Sequence, residues 1–580
     1  MTSSALTQES RAEALERMTG GEELDVLVVG GGVTGAGIAL DAVTRGLRTG
    51  IVEMQDWAGG TSQWSSKLIH GGLRYLYNLD FKLVAEGLRE RGLLLTTTAP
   101  HLVKAQPFLW PLKQRFIERA YSAVGVGMYD AMAVAGHRGM AVPVQKHYTR
   151  RRALEVFPDI REDALIGAIR FYDARVDDAR LVMTLVRTAQ SYGAMAASRT
   201  QVVDMLKGPG GRVTGAKVVD LETGAEHEIR AKHVINATGV WTEKTEALGG
   251  TGGGLQVLAS KGIHIVVPKE RIKGSTGIFL RTEKSVLFII PWQRYWIIGT
   301  TDTPWEVEGR QHPVATAEDV DYLLEHANSV LRSDLTRADL IGVYAGLRPL
   351  LQPGTKDGAA STKVSRDHTV VEAAPGLTVI SGGKLTSYRL MAEHAVDHAL
   401  GKHEAKAKPS VTPSTPLVGA AGLAAYESQA PRIAQQYGWT ADRLEHLLGR
   451  YGTDLPTLLA MIDDDPDLGR PLAAAPEYLR AEVAMAVTHE GALHLEDILA
   501  RRIRLFYESA DRGLAALDEM AEIVRPLLGW DEARALEEKA SYTALAEAEA
   551  AALRTHTDVE AERARLAAPD LVPLRPLATE

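Results

Sequence analysis

The first apolar run of the chain, DVLVV at 25–29, is short and rich in β-branched side chains, and it reads as a buried strand. It leads straight into Gly30-x-Gly32-x-x-Gly35 and then into IALDAVTRG, whose pattern is helical. A second run, TGIVE, ends on Glu53. Strand, glycine turn, helix and strand make one βαβ unit from 25 to about 56. The glycines allow a tight turn and bring backbone N–H groups close to a pyrophosphate at the helix N-terminus. Glu53 is placed to accept hydrogen bonds from a ribose. The alternative is a glycine turn that only packs helix on strand.

Helical periodicity returns over 80–98 and again after FYDARVDDARL at 171–181. Residues 212–239 predict a hairpin turning at Thr223-Gly224, then a buried strand closing on Ala237-Thr238-Gly239. Alternating runs within 255–300, such as IHIVV, VLFII and YWIIG, predict an antiparallel sheet beside the nucleotide domain. LTVISGGKLTSYRLMAEHAVDHAL at 377–400 is again strand, glycine turn and helix. Residues 1–24 read as a polar leader with a helical turn or two, and 402–417 as a Lys/Pro/Ser/Thr-rich linker. Residues 418–545 are helical almost throughout, and 546–580 read as a helix fading into a tail.

A length of 580 residues allows two or three domains. The net charge of −9 argues against nucleic acid as a main partner. The absence of cysteine excludes disulfides, thiolate nucleophiles and cysteine-ligated metals, so redox chemistry needs a bound organic cofactor or a metal held otherwise. No H-E-x-x-H occurs, and no metal site is expected. The N-terminus lacks the apolar core of a secretory signal, and no apolar run approaches the ~18 residues of a spanning helix, so a cytoplasmic protein is expected. Residues 104–152 carry nine Lys or Arg against two acids, mixed with PFLWPL and YSAVGVGMYDAMAVAG. That stretch is either an apolar and basic surface for anionic lipid or an internal helix pair with a solvated rim.

The three glycine turns, at 30, 239 and 383, lie about 200 and then about 145 residues apart. One extended cofactor threading between them suits FAD better than a nicotinamide, which usually needs one compact fingerprint. The block TSQWSSKLIHGGLRYL at 61–76 follows the first turn and mixes hydroxyls, lysine, histidine, glycines and an Arg-Tyr pair, a poor core element but a plausible wall for a phosphate or a charged cofactor.

That block, with VDDARL (176–181), NATG (236–239), KGIHIVVP (261–268), GTTD (299–302), GLRPL (346–350), SRDH (365–368) and GGKLTSYR (382–389), resembles the FAD-dependent glycerol-3-phosphate dehydrogenases in content and order. ALHLEDILARRIRL at 492–505 resembles the family's helical C-terminal domain. The resemblance implies an α/β fold: an FAD-binding Rossmann-like domain, an antiparallel-sheet substrate domain like that of D-amino-acid oxidases, and an all-α C-terminal domain. Mapped on this chain, 25–103, 175–245 and 340–401 form the FAD-binding domain, and 104–174 with 246–339 the substrate or cap domain.

The resemblance further implies oxidation of sn-glycerol 3-phosphate to dihydroxyacetone phosphate, with hydride leaving C2 for flavin N5 and electrons passing to a quinone at the inner face of the cytoplasmic membrane. For FAD it points to Gly30, Gly32, Gly35 and Glu53; to Thr61, Ser62, Ser66, Lys67 and Leu68 along the pyrophosphate and isoalloxazine; to His70 shaping the flavin loop; and to Thr238 and Gly239 through backbone. Gly383, Lys384, Leu385 and Thr386 open a helix whose dipole favours negative charge on the reduced flavin. For the substrate phosphate it points to Arg74, Arg348 and Arg366, with Lys384 as a point charge, because arginine's fork matches two oxygens. His264 is the expected base, and Arg348 and Lys384 are also read as catalytic.

Some of these positions keep a second reading. Arg366 either clamps phosphate or pairs with Asp367; Tyr75 either bonds substrate or packs; Thr300 and Thr301 either hold substrate oxygens or do not; Arg389 supports the last helix. Trp64 departs from the small residues usual there. The alternatives in function are a glycerol-3-phosphate oxidase that makes peroxide, an amino-acid oxidase of the same superfamily, and a tRNA-modifying or non-catalytic flavoprotein. Monomer and homodimer are both compatible with the sequence.

Overall fold

The structure, a computed structural model, describes residues 3–73, 80–113, 125–133, 141–250, 255–281, 286–351 and 367–577. Its βαβ unit consists of the parallel strands Leu24–Val29 and Thr49–Val52, joined by the helix Val33–Thr44. Beside Leu24–Val29 lies Glu226–Asn236, and beside that Leu377–Ser381, both parallel to it. Val29, Asn236 and Val379 stand in register. The three glycine turns follow the C-terminal ends of these three adjacent strands, so turns distant in sequence meet at one sheet edge, where open α/β sheets bind ligands.

Glu226–Asn236 serves two partners because it is long. Its first half pairs antiparallel with Val213–Asp220, the expected hairpin with Gly224 at φ +75, and its second half enters the parallel sheet. Thr369–Ala374 and Met195–Ala197 complete the edges, and Thr200–Lys207 extends the hairpin. The helices Val33–Thr44, Asp178–Ser191 and Tyr388–Ala407 cover one face.

The second sheet is antiparallel as expected, apart from one parallel pair between Gly277–Arg281 and Lys104–Leu112. Val257–Pro268 sits beside Tyr295–Gly299, and the order continues through Val286–Trp292, Gly277–Arg281, Lys104–Leu112 and Gly167–Arg175 to Leu68–Ile69. Gly342–Leu351 belongs here rather than to the nucleotide domain assigned from sequence. It pairs with Val257–Pro268 from Val257↔Leu351 to Val266↔Gly342. Val343 and Ala345 turn into one apolar core while Tyr344 and Arg348 turn to the opposite face, which suits a strand flanked by this sheet. Leu68–Ile69 and the described strands of 104–152 lie in this sheet too.

Three other segments differ from expectation. The leader forms the helix Gln8–Thr19, fixed by a Thr7/Ser10 capping box and burying Ala14, Leu15 and Met18. The helix Tyr388–Ala407 runs into the supposed linker, past Gly401 at φ +74, because KHEAKA is made of good helix formers. The supposed tail is ordered. After Glu532–Ala552 comes the short helix Asp558–Arg565, and residues 566–577 then return to the first sheet.

The helical domain is docked by buried ion pairs drawn from two family-like motifs. Asp177 meets Arg450 and Arg504, Arg180 meets Glu490, and Arg502 meets Asp56 on both oxygens at 2.6 and 2.8 Å. Arg501 bridges Asp56 and Asp497. Each guanidinium is nearly fully buried, so each requires its carboxylate. Among the described residues no helix is long and apolar enough to cross a membrane.

Candidate functional site

The edge where the three turns meet opens into a cleft lined by Gly30, Gly32, Glu53, Thr61, Ser62, Thr238, Gly239, Gly383, Lys384 and Leu385. Gly30 takes φ +112, and a Cβ there would stand 2.7 Å from the Ala237 carbonyl oxygen. Gly35 lies beneath rather than in the cleft, where a Cβ would drive into the Gly30 carbonyl, so it serves close helix–strand packing. Ser62 Oγ accepts from Val33 N at 2.9 Å and so satisfies the first N–H of the helix Val33–Thr44. Glu53 accepts from Gly31 N and Gln55 N, and burial pushes its carboxyl above the ordinary range despite those bonds.

The remaining residues of the 61–76 block face elsewhere. Lys67, at φ +55 and buried, donates to the Gln63 carbonyl at 2.9 Å and to Asp178 at 2.6 Å. Ser65 donates to the same Asp178 through N and Oγ. Leu68 pairs with Arg175 in the second sheet. His70 N donates to Thr386 Oγ1 at 2.9 Å, tying the block to the third turn. Ser66 Oγ lies 2.8 Å from His264 Nε2. Arg74, Tyr75 and Arg366 lie outside the described residues.

His264 and Arg348 share one face of the second sheet. Alternation sends Ile263, Ile265, Val343 and Ala345 into an apolar core. The opposite face carries Gly262 and His264 against Gly346 and Tyr344, with Arg348 across from Ser260. Gly262 leaves room for the Arg348 guanidinium: a Cβ would lie 2.2 Å from Nη2. Gly299 leaves room for the imidazole, its Cβ position being 2.2 Å from His264 Cδ2. Arg348 thus reaches over the same-face position next to His264, two residues or about 7 Å along the strand.

Arg348 is oriented by the 299–302 turn. Its Nη2 donates to Thr300 Oγ1 at 2.8 Å and to the Thr301 carbonyl at 3.0 Å, and its Nη1 pairs with Asp302 at 3.4 Å. Thr301 Oγ1 accepts from Ile263 N and is buried. His264 is buried, and the loss of water, followed by the charges of Arg348 and Lys67, lowers its pKa well below the ordinary value. The imidazole is therefore neutral near pH 7 and has a buried Nδ1 without a hydrogen-bond partner among the described residues. Tyr344 stacks on it at 4.8 Å and 16°.

Trp64 turns to the helical domain. It stacks on Tyr344 at 5.7 Å and meets Phe506 and Tyr507, while Gly346 makes room for its Cβ. Sequence reading missed Trp241, Gln201, Leu574 and Leu577, which also line the cleft. The buried Trp241 indole N–H has no partner among the described residues, and its place two residues after the second glycine turn was the signal available. Arg389 pairs with Glu90 and Glu393.

His394 and His398 stand one turn apart on the helix Tyr388–Ala407, a spacing seen in metal sites, but their rings part. His394 Nδ1 faces His368 Nε2 at 2.8 Å, and His398 Nδ1 faces Thr378 Oγ1 at 3.3 Å. No group of three or more candidate ligands occurs among the described residues.

Residues 25–389 match the family model described as FAD dependent oxidoreductase, and 410–535 the C-terminal domain of alpha-glycerophosphate oxidase. The chain is 50% identical over 566 residues to glycerol-3-phosphate dehydrogenase 2 of Mycobacterium tuberculosis, covering 98% of this chain and 95% of that protein. It is 36% identical over 544 residues to the human mitochondrial glycerol-3-phosphate dehydrogenase, covering 90% and 73%. Among solved structures, the glycerol-3-phosphate dehydrogenase from Bacillus halodurans complexed with FAD superposes with a TM-score of 0.75 at 27% identity, covering 92% of this chain and 97% of that one.

Proposed function

The chain belongs to the FAD-dependent glycerol-3-phosphate dehydrogenases, and from that premise we propose that the three-turn cleft and the His264–Arg348 face together oxidise sn-glycerol 3-phosphate to dihydroxyacetone phosphate. The observation that carries this reading is the neutral His264 beside the anchored Arg348 on one sheet face. A base and a cation at that spacing suit a substrate with a reacting hydroxyl close to a phosphate.

The cleft fits FAD on its own chemistry. The bare backbone at Gly30, the buried indole N–H of Trp241 (without a partner among the described residues), and Glu53 at the end of the second strand suit a pyrophosphate flanked by a ribose. When bound, FAD supplies the acceptor for the hydride leaving C2. Gly30, Gly32 and Ser62 would hold the pyrophosphate side, and Gly383, Lys384 and Leu385 the flavin side.

Arg348 holds the substrate phosphate through its fork while Asp302 and the Thr301 carbonyl fix the guanidinium plane. Thr300 Oγ1, already on Arg348, stands within the same clamp. Lys384 adds a positive charge from the third turn. His264 takes the C2 hydroxyl proton, a role its depressed pKa permits because the ring is unprotonated at neutral pH. Ser66 fixes the imidazole from the other ring nitrogen. Arg74, Tyr75 and Arg366 complete the substrate set.

Electrons pass to a membrane quinone from a protein resting on the inner membrane face. Exposed Met128 and Val144, close in sequence to the basic run Arg150–Arg152, support contact with anionic lipid. The test is anaerobic. Sn-glycerol 3-phosphate should bleach the flavin of the purified protein, and a quinone analogue should restore its colour. A flavin that stays yellow ends the proposal, and stoichiometric peroxide in air without quinone replaces the dehydrogenase with an oxidase.

A further inference from the structure

The segment after the last helix runs beyond both matched family regions, which end at 389 and 535, and it ends against the cofactor cleft. Asp570 is held by His312 at 2.9 Å, and Arg565 Nη1 donates to the Ala568 carbonyl at 3.0 Å. The buried carboxamide of Gln201 then clamps the backbone of Arg575 on both sides: Nε2 donates to its carbonyl at 2.9 Å, and Oε1 accepts from its N–H at 2.8 Å. Leu577 packs on the core beneath the first sheet. Leu574, Arg575 and Leu577 all line the cleft.

Their position along the cleft is defined. Gln201 follows Thr200, whose N–H bonds the Glu53 carbonyl at 2.7 Å. The segment therefore closes the end of the cleft at Glu53, Met54 and Val202, far along the sheet edge from the flavin-side turn at Gly383. That end would take the ribose and adenine of FAD. An adenine ring there takes apolar cover, and Leu574 and Leu577 add to the apolar lining given by Val52, Met54 and Val202.

We propose that residues 569–577 form a strap that completes the FAD site, with Leu574 and Leu577 covering the adenine half and Gln201 locking the strap in place. The inference rests on FAD occupying the three-turn cleft. A strap of this kind adds apolar cover without touching the reacting atoms, so it acts on cofactor retention and not on turnover. Losing one leucine's cover corresponds to roughly tenfold or more in affinity.

The experiment follows flavin release by the recovery of free-flavin fluorescence after dilution. It compares the full-chain holoenzyme with a chain ending at Ala568 and with the full-length variant Leu574→Ser. Both variants should release FAD at least about tenfold faster, with kcat within about twofold of the parent at saturating FAD and, for Leu574→Ser, apoprotein melting unchanged. Should the shortened chain fail to fold, Leu574→Ser decides alone. Release within twofold of the parent overturns the strap, as does faster release from Leu574→Ser matched by a fall in its apoprotein melting temperature, which marks a general loss of stability. A parent protein that takes up no FAD overturns the cofactor reading itself and is told apart at the first step.

Discussion

Replacing Gly262 with alanine should damage substrate binding while sparing the fold. Gly262 lies in the strand Val257–Pro268, outside the positive-φ glycines, so alanine suits its backbone. The added Cβ would stand 2.2 Å from Arg348 Nη2, 2.6 Å from Cζ and 2.7 Å from Nη1. The guanidinium ends a flexible side chain and would swing away, a small cost to stability. It would lose its place beside His264 and its bonds to Thr300 and Thr301. A charge-assisted bond to the substrate phosphate is worth about 1.5–3 kcal/mol, so KM for glycerol 3-phosphate should rise roughly 10- to 100-fold. The effect on kcat should be much smaller. Steady-state reduction of an artificial acceptor gives both constants, and glycerol as a second substrate provides the control because it lacks the phosphate. Gly262→Ala should narrow the preference for glycerol 3-phosphate over glycerol, and adding Arg348→Ala should bring little further loss, since both changes remove the same contact. An unchanged KM in a variant with normal melting would remove Arg348 from the phosphate clamp.

Four further outcomes are expected. Gly299→Ala would press its Cβ against the buried His264 ring, which has no room to swing, so kcat should fall more than KM rises. His264→Ala should lower kcat by roughly 10²–10⁴ in the same assay, and a near-normal kcat would reassign the base. Asp177→Asn leaves Arg450 and Arg504 short of an anion in a buried interface; Glu482 and Glu508 remain as partial partners, so urea unfolding should show a loss of about 3 kcal/mol. His494 is buried, which alone would lower its pKa, but Glu222 and Glu538 at 2.9 and 2.8 Å raise it to about 9. Its contribution is then fully present below pH ~6.5 and lost as pH rises through about 9, so melting temperature should fall across that window in the parent and much less in His494→Gln.

The nucleotide-binding half was legible because its signals are local. A β-branched run, a glycine turn and a helical repeat sit within thirty-odd residues, and the same pattern recurs at the third turn. Gly342–Leu351 was misassigned because a short apolar run does not tell which sheet it joins, which only its pairing with Val257–Pro268 decides. The leader and the tail were undervalued for a related reason. Neither carries a clear strand or long helical period, and each holds its place through a few contacts with residues far away, such as Arg11 with Asp220 and Arg575 with Gln201. Arg348, Thr300 and Thr301 do come together. The roles of Gly262 and Gly299 were not legible, since in each case the absence of a side chain matters only once the neighbour is known.

The opening block and the VDDARL motif divide along a line that sequence could not draw. Thr61 and Ser62 face the cleft, while Ser65 and Lys67 bind Asp178, the neighbour of the Asp177 that docks the helical domain. Ser66 lies between them and meets His264. The loop that touches the imidazole is therefore held by the same aspartate pair that holds the helical domain. A second connection runs through rings: Tyr344 stacks on His264, Trp64 on Tyr344, and Phe506 of the helical domain on Trp64. Trp64 is unexpected in the block because its neighbours lie in strands and helices hundreds of residues away, and a smaller residue there would remove the ring that joins Tyr344 to Phe506. The helical domain thus reaches that histidine from two sides, through a buried charge pair and through a column of aromatic rings, with Tyr507 packed on Tyr344 and Gly342 of the same sheet face.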